Sequence, residues 1–86
     1  MTISYHRDFT KNFKKLPPKH KEKFKEKLML FGKDLFNPVL NNHALSGKYR
    51  GYRSINITGD LRAIYKMEDD DNALFVKIDS HSNLYK

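Results

Sequence analysis

The chain has 86 residues and no cysteine, so it makes one small domain, residues 1–86, that holds neither a disulfide nor a thiolate metal site. No apolar run approaches the roughly 20 residues of a membrane-spanning helix, and the N-terminus lacks an apolar signal-peptide core. The expectation is a cytoplasmic protein with no membrane contact. The formal net charge of +7 points instead to polyanions or acidic proteins as partners.

The charge is uneven. Residues 1–34 carry ten Lys/Arg against four Asp/Glu, a net of +6. Residues 47–66 carry five against one, a net of +4, and residues 67–86 carry two against five, a net of −3.

In chain order, residues 3–6 read as a short opening strand. Asp8 or Thr10 is placed to cap a helix whose Phe9, Phe13 and Leu16 share one face. Pro17-Pro18 ends that helix and starts a second, with Phe24, Leu28, Phe31 and Leu35 as its apolar stripe and Gly32 as its end signal. Lys19, Lys23 and Lys27 share a solvent face of this helix. Residues 37–47 read as a polar loop carrying His43. The period then changes to two. Arg53, Ile55 and Ile57 alternate with Tyr52, Ser54 and Asn56, Gly59-Asp60 reads as a tight turn, and residues 61–66 return as a strand. An acidic turn at residues 68–72 leads to a third strand with Leu74, Val76 and Ile78 in alternation. A short tail ends on Leu84-Tyr85-Lys86. The order β-α-α-β-β-β predicts an α+β domain with a helical hairpin packed on one face of a small, mainly antiparallel sheet. The other sheet face is expected to stay open as a binding platform.

The residues able to do chemistry concentrate in the second half. His43, Asp60, His81 and Tyr85 lie among Lys48, Arg50, Arg53 and Arg62. Histidine moves protons near neutral pH, and Arg and Lys attract phosphate regardless of sequence. Together they suggest a polyanion that is cut as well as bound. RNA cleavage through its own 2′-OH needs a base, an acid and cations to neutralise the phosphorane, and no metal or other cofactor. His43, Asp60 and His81 are the proton-transfer candidates, and Arg62, with Arg50 and Arg53 behind it, is the phosphate candidate. Tyr85 or Tyr52 can stack on a base. The blander readings are a solvated loop histidine at position 43, turn chemistry at Asp60 and sheet packing for the tyrosines. No His or Cys spacing reads as a metal site.

Residues 43–47 (His-Ala-Leu-Ser-Gly), 51–53 (Gly-Tyr-Arg), 59–65 (Gly-Asp-Leu-Arg-Ala-Ile-Tyr) and 80–85 (Ser-His-Ser-Asn-Leu-Tyr) resemble, in order and spacing, the motif series of the RelE/ParE toxin superfamily, YafQ-like branch. Residues 1–36 match it only in pattern. The resemblance implies a RelE-like fold and the toxin of a type II toxin–antitoxin system, a metal-independent, ribosome-dependent endoribonuclease (mRNA interferase). Its partners would be a cognate acidic antitoxin, the ribosome and mRNA, with no small-molecule cofactor. It further implies His81 as general acid, His43 and Asp60 as its companions, Tyr85 as the aromatic near the cut, and Arg62 as a phosphate binder. The branch carries an acid and a histidine after Gly-Tyr-Arg where this chain has Ser54 and Asn56. A gyrase poison like ParE, or a non-catalytic RNA- or partner-binding member of the same fold, are the competing expectations.

Overall fold

The computed structural model describes residues 1–85. Strand β1 (Thr2–Tyr5) leads into helices α1 (Arg7–Lys14) and α2 (Pro18–Lys33). Two 3-10 turns, Pro38–Leu40 and Gly47–Tyr49, flank the short strand β2 (His43–Ala44). Strands β3 (Arg53–Asn56), β4 (Leu61–Asp69) and β5 (Asn72–Ser80) follow, and helix α3 (His81–Leu84) closes the chain. The sheet order is β1-β5-β4-β3-β2, antiparallel except that β1 runs parallel to β5. This is the α+β architecture expected, with one added short strand.

The helices form where the apolar spacing places them, but the cap of α1 differs. His6, and neither Asp8 nor Thr10, is the N-cap, and its Nδ1 accepts from the Asp8 backbone N–H at 3.0 Å. Asp8 sits instead in the first turn, where its charge suits the helix dipole. Helix α2 runs one residue past Gly32.

One sheet face carries the core. On β4, Leu61, Ala63 and Tyr65 alternate toward the helices, as Ile55 does on β3 and Phe75 and Ile78 do on β5. Phe9, Phe24 and Phe31 descend from the helices onto Phe75, with ring centroids 5.8, 5.7 and 5.3 Å away. Phe31 also meets Tyr65 edge-on at 4.9 Å. Fully burying one such ring contributes on the order of 1.5–3 kcal/mol, so this aromatic cluster dominates the stability of a small domain.

The opposite face is not left open, contrary to the pattern-based expectation. The Gly47–Tyr49 turn lies over it, and the tail, expected only as a short end, coils into α3 and folds back. Ile64 is fully buried and Leu84 is 4% exposed, although neither belongs to the helix-side core. Apolar side chains at these two positions drive the closure. Lys86 lies outside the described residues.

Candidate functional site

Cross-strand register builds the face away from α1 and α2. His43 stands opposite Ser54, Ser54 opposite Ile64, and Ile64 opposite Lys77. Two residues along, Asn56, Arg62 and Asp79 form a second row. Alternation puts both rows on one side of the sheet.

Helix α3 is tied to the end of this face by short-range polar contacts. Asp79 Oδ1 accepts from the Ser80 backbone N–H at 2.7 Å and from Asn83 Nδ2 at 3.1 Å. The Ser80 hydroxyl caps α3 by accepting from the Asn83 N–H at 3.2 Å. The Asp60 carbonyl accepts from the His81 N–H at 2.9 Å, which joins the β3–β4 turn to the start of the helix. One turn of helix then brings Tyr85 against His81, with centroids 4.8 Å apart. Tyr85 meets Tyr49 edge-on at 6.1 Å, and Tyr49 meets Tyr52 at 6.5 Å. Gly47 at φ 64 and Gly51 at φ 92 turn the chain at both ends of the segment that presents Tyr49, in a region that disfavours any side chain.

The sequence-predicted residues divide into three groups. His43, Asp60, His81 and Tyr85 are solvent-exposed around one face, with His43 and His81 on opposite sides of it. His43 lies in a short strand rather than a loop, and its Nδ1 is 2.8 Å from the Asn41 carbonyl. A carbonyl only accepts, so Nδ1 carries the proton and the neutral ring presents Nε2 as a lone pair. Asn41 makes this geometry possible by adopting the left-handed conformation at φ 46. Arg62 is held from behind, since Nη1 donates to the carbonyls of Thr58 at 2.9 Å and Leu61 at 3.3 Å. Its Nε and Nη2 have no hydrogen-bond partner among the described residues.

Lys48 and Arg50 flank Tyr49. The Lys48 Nζ is 5.2 Å from the Tyr49 ring centroid, and Arg50 is exposed at the end of the 3-10 turn.

Arg53 stands apart from these residues. It shares the parity of Ile55 and stands opposite Tyr65, so it belongs to the helix side of the sheet. Its Nε donates to Asn42 Oδ1 at 2.8 Å, and its guanidinium carbon lies 5.3 Å from the Phe36 ring centroid. Asn42 Nδ2 in turn donates to the Tyr65 hydroxyl at 2.7 Å and the Leu35 carbonyl at 2.9 Å. The Gly-Tyr-Arg arginine therefore latches the loop that delivers His43 and is not aligned with the phosphate candidates.

Ser54 and Asn56 do lie on the site face. Ser54 is fully buried, and Ser54 Oγ and Asn56 Oδ1 have no hydrogen-bond partner among the described residues. Pattern reading missed Tyr49, Lys66 and Lys77. The signal available was an aromatic between two cations at residues 48–50, the interleaving that suits nucleic acid. Among the described residues no group of three or more His, Asp or Glu is placed to hold a metal ion, and no helix is long and apolar enough to cross a membrane.

Solved structures with this architecture include bacterial toxins. The chain is 25% identical to YafQ from E. coli strain BL21(DE3), with TM-score 0.82, covering 98% of this chain and 97% of that one. It is 26% identical to a chain of the E. coli DinJ–YafQ toxin–antitoxin complex, with TM-score 0.79 and coverage of 98% and 96%. A YoeB/ParE toxin from Agrobacterium tumefaciens shares the fold at 16% identity, with TM-score 0.79 and coverage of 94% and 99%. A comparison with curated protein sequences gives no match. The fold is thus that of a toxin of the RelE/ParE superfamily. The family described as "Bacterial toxin of type II toxin-antitoxin system, YafQ" matches residues 1–86, and the chain belongs to that family.

Proposed function

We propose that this toxin is a metal-independent endoribonuclease that cuts mRNA on the ribosome. The observation that carries the reading is the position of His81, packed against Tyr85 and tied through its backbone to Asp60, at the rim of a face that also carries His43 and Arg62.

In the proposed reaction, the 2′-oxygen of the RNA attacks the adjacent phosphorus and the bond to the 5′-oxygen breaks. The 2′-hydroxyl proton passes to a base on this face, Asp60 or His43, and His81 donates a proton to the leaving 5′-oxygen. The products are a 2′,3′-cyclic phosphate and a 5′-hydroxyl. Arg62 neutralises the phosphorane through its free guanidinium edge, with Lys48 and Arg50 drawing in the neighbouring backbone. Tyr85 packs against the reacting nucleotide. Ser54 and Asn56 are neutral and cannot replace an acid or a base, so proton transfer falls on His43, Asp60 and His81.

The cytoplasm is the compartment where this substrate is found. A cognate acidic antitoxin, folding as it binds, is the partner that suits a chain of net charge +7. An apolar groove of about 290 Å³ between α1 and α2, with Tyr5, Phe9, Phe13 and Leu28 in its lining and Lys25 at its side, offers such a segment a seat. Inducing the toxin with and without the neighbouring gene tests this, because arrest untouched by co-expression contradicts an antitoxin encoded there. DNA breaks with intact mRNA would transfer the reading to a gyrase poison.

A further inference from the structure

A second concave feature lies on the same sheet face, beyond Tyr49 as seen from His81. It is a cleft of about 230 Å³ between the Lys48–Tyr52 segment and the start of α1. Tyr49 and Tyr52 form one wall, His6 and Asp8 the other, and Val76 and Lys77 the floor. The floor is a β-bulge. Ile64 pairs with Lys77 and Tyr65 with Phe75, so Val76 is an extra residue that leaves the ladder. Bulges of this kind re-aim side chains, and they concentrate beside functional sites.

The lining has the chemistry of a nucleotide pocket. Two tyrosine rings and Val76 supply apolar surface for a base. Three cations surround it. Lys48 lies by the Tyr49 ring, Lys66 Nζ lies 5.7 Å from the Tyr52 ring centroid, and Lys77 Nζ lies 3.7 Å from Asp8 Oδ2. Asp8 is half-exposed, and among the described residues its carboxylate makes only long contacts, to Lys77 at 3.7 Å and to His6 at 3.9 Å. Its oxygens are therefore available to accept a hydrogen bond. An anionic phosphate is repelled by that carboxylate, which directs the base edge toward Asp8 and the phosphate toward Lys48. A volume below the roughly 300 Å³ of the smallest drug-sized sites fits one unpaired base and not a base pair.

We propose that this cleft is a nucleotide subsite that holds one unpaired RNA base beside the reacting position, with Asp8 selecting bases that carry an exocyclic amino group over uracil. Adenine, cytosine and guanine present an amino donor to the carboxylate, whereas uracil presents carbonyl oxygens on either side of a single N–H. The proposal rests on the RNA-cleaving reading and deepens it. Tyr49 joins the two parts, since it touches both Tyr85 and Tyr52.

The test is amide NMR on the ¹⁵N-labelled toxin, titrated with 2′-O-methyl trinucleotides of A, C, G or U, which cannot be cut by 2′-oxygen attack. The expected result is shifts at Tyr49, Val76 and Lys77 with the amino-bearing trinucleotides, and affinity for the U trinucleotide weaker by about fivefold or more, on the order of a single hydrogen bond. Asp8→Asn should reduce that preference, and Lys77→Gln should weaken all four about equally. Shifts confined to the surroundings of His43, His81 and Tyr85 would overturn the subsite and leave the nuclease reading intact. Equal affinity for all four bases would overturn the selectivity. No shift with any trinucleotide would overturn the subsite, and mapping of RNA ends in cells would decide separately whether RNA is the substrate.

Discussion

Ser54 illustrates how one residue can be out of place for stability and in place for the site. It is fully buried beside His43 with a hydroxyl that has no partner among the described residues, and an unsatisfied buried polar group costs about 1–3 kcal/mol. Ser54→Ala should therefore leave the fold as stable or raise it by about 1 kcal/mol in urea unfolding. A loss of that size would show that the hydroxyl has a native partner. Arg53 predicts the opposite. Its charged bond to Asn42 holds the loop before His43, so Arg53→Ala should cost about 2 kcal/mol. Unchanged stability with weakened RNA binding would return Arg53 to the phosphate set. Sequence alone misled at Arg53 because a cation near a basic strand pair reads as a phosphate ligand, whereas its strand parity was legible and pointed to the helix side. Ser54 was legible as non-catalytic, but its burial depends on the tail folding back.

The elements that follow periodicity were readable, and those held by single polar contacts were not. Phe24 and Phe31 announced α2, Ile55 announced β3 and Ile78 announced β5 by spacing, and all four are core. Strand β2 has two residues, and α3 has one turn capped by Ser80, so neither has enough length to leave a period. The Gly59-Asp60 turn was legible as a turn, but its anchor is Thr58, whose hydroxyl accepts from the Leu61 N–H at 3.0 Å. The β4–β5 turn carries a pH signature. Asp69 accepts from the Asp71 backbone N–H and from the Asn72 side chain, and these bonds hold its carboxyl below its ordinary value of 3.8. A carboxyl lowered by folding stabilises the fold fully above its unfolded value, and that stabilisation is lost as pH falls through the lowered folded value. Stability should accordingly decline on acidification below about pH 4, and less steeply in Asp69→Asn. Identical acid profiles for the two proteins would contradict this.

At the scale of the molecule there are two basic surfaces, and they meet where Lys23 and Lys27 of α2 line a groove with Asn56 and Gly59. The helix side carries Lys19, Lys23 and Lys27, and the other side carries Lys48, Arg62, Lys66 and Lys77. Each phosphate neutralised on single-stranded RNA contributes about −0.7 to the salt slope of log K. Replacing the three helix lysines by Gln should leave the slope for a short RNA unchanged, while Lys66→Gln with Lys77→Gln should reduce it by about 1 or more. The reverse pattern would place RNA on the helices. The α+β class and the family were legible because the motif residues sit at fixed spacings along paired strands. The closure of the site face by Tyr49, Leu84 and Tyr85 was not, because it joins segments far apart in the chain.

The central claim is that this face cuts mRNA with His81 as the acid. Mapping of RNA 5′-ends shortly after induction, in wild type beside His81→Ala, tests it most directly. The account predicts new 5′-hydroxyl ends in frame with codons in the wild type and their loss, by about a hundredfold or more, in the variant. Growth arrest in both strains without new ends, or equal cutting in the two, would contradict it.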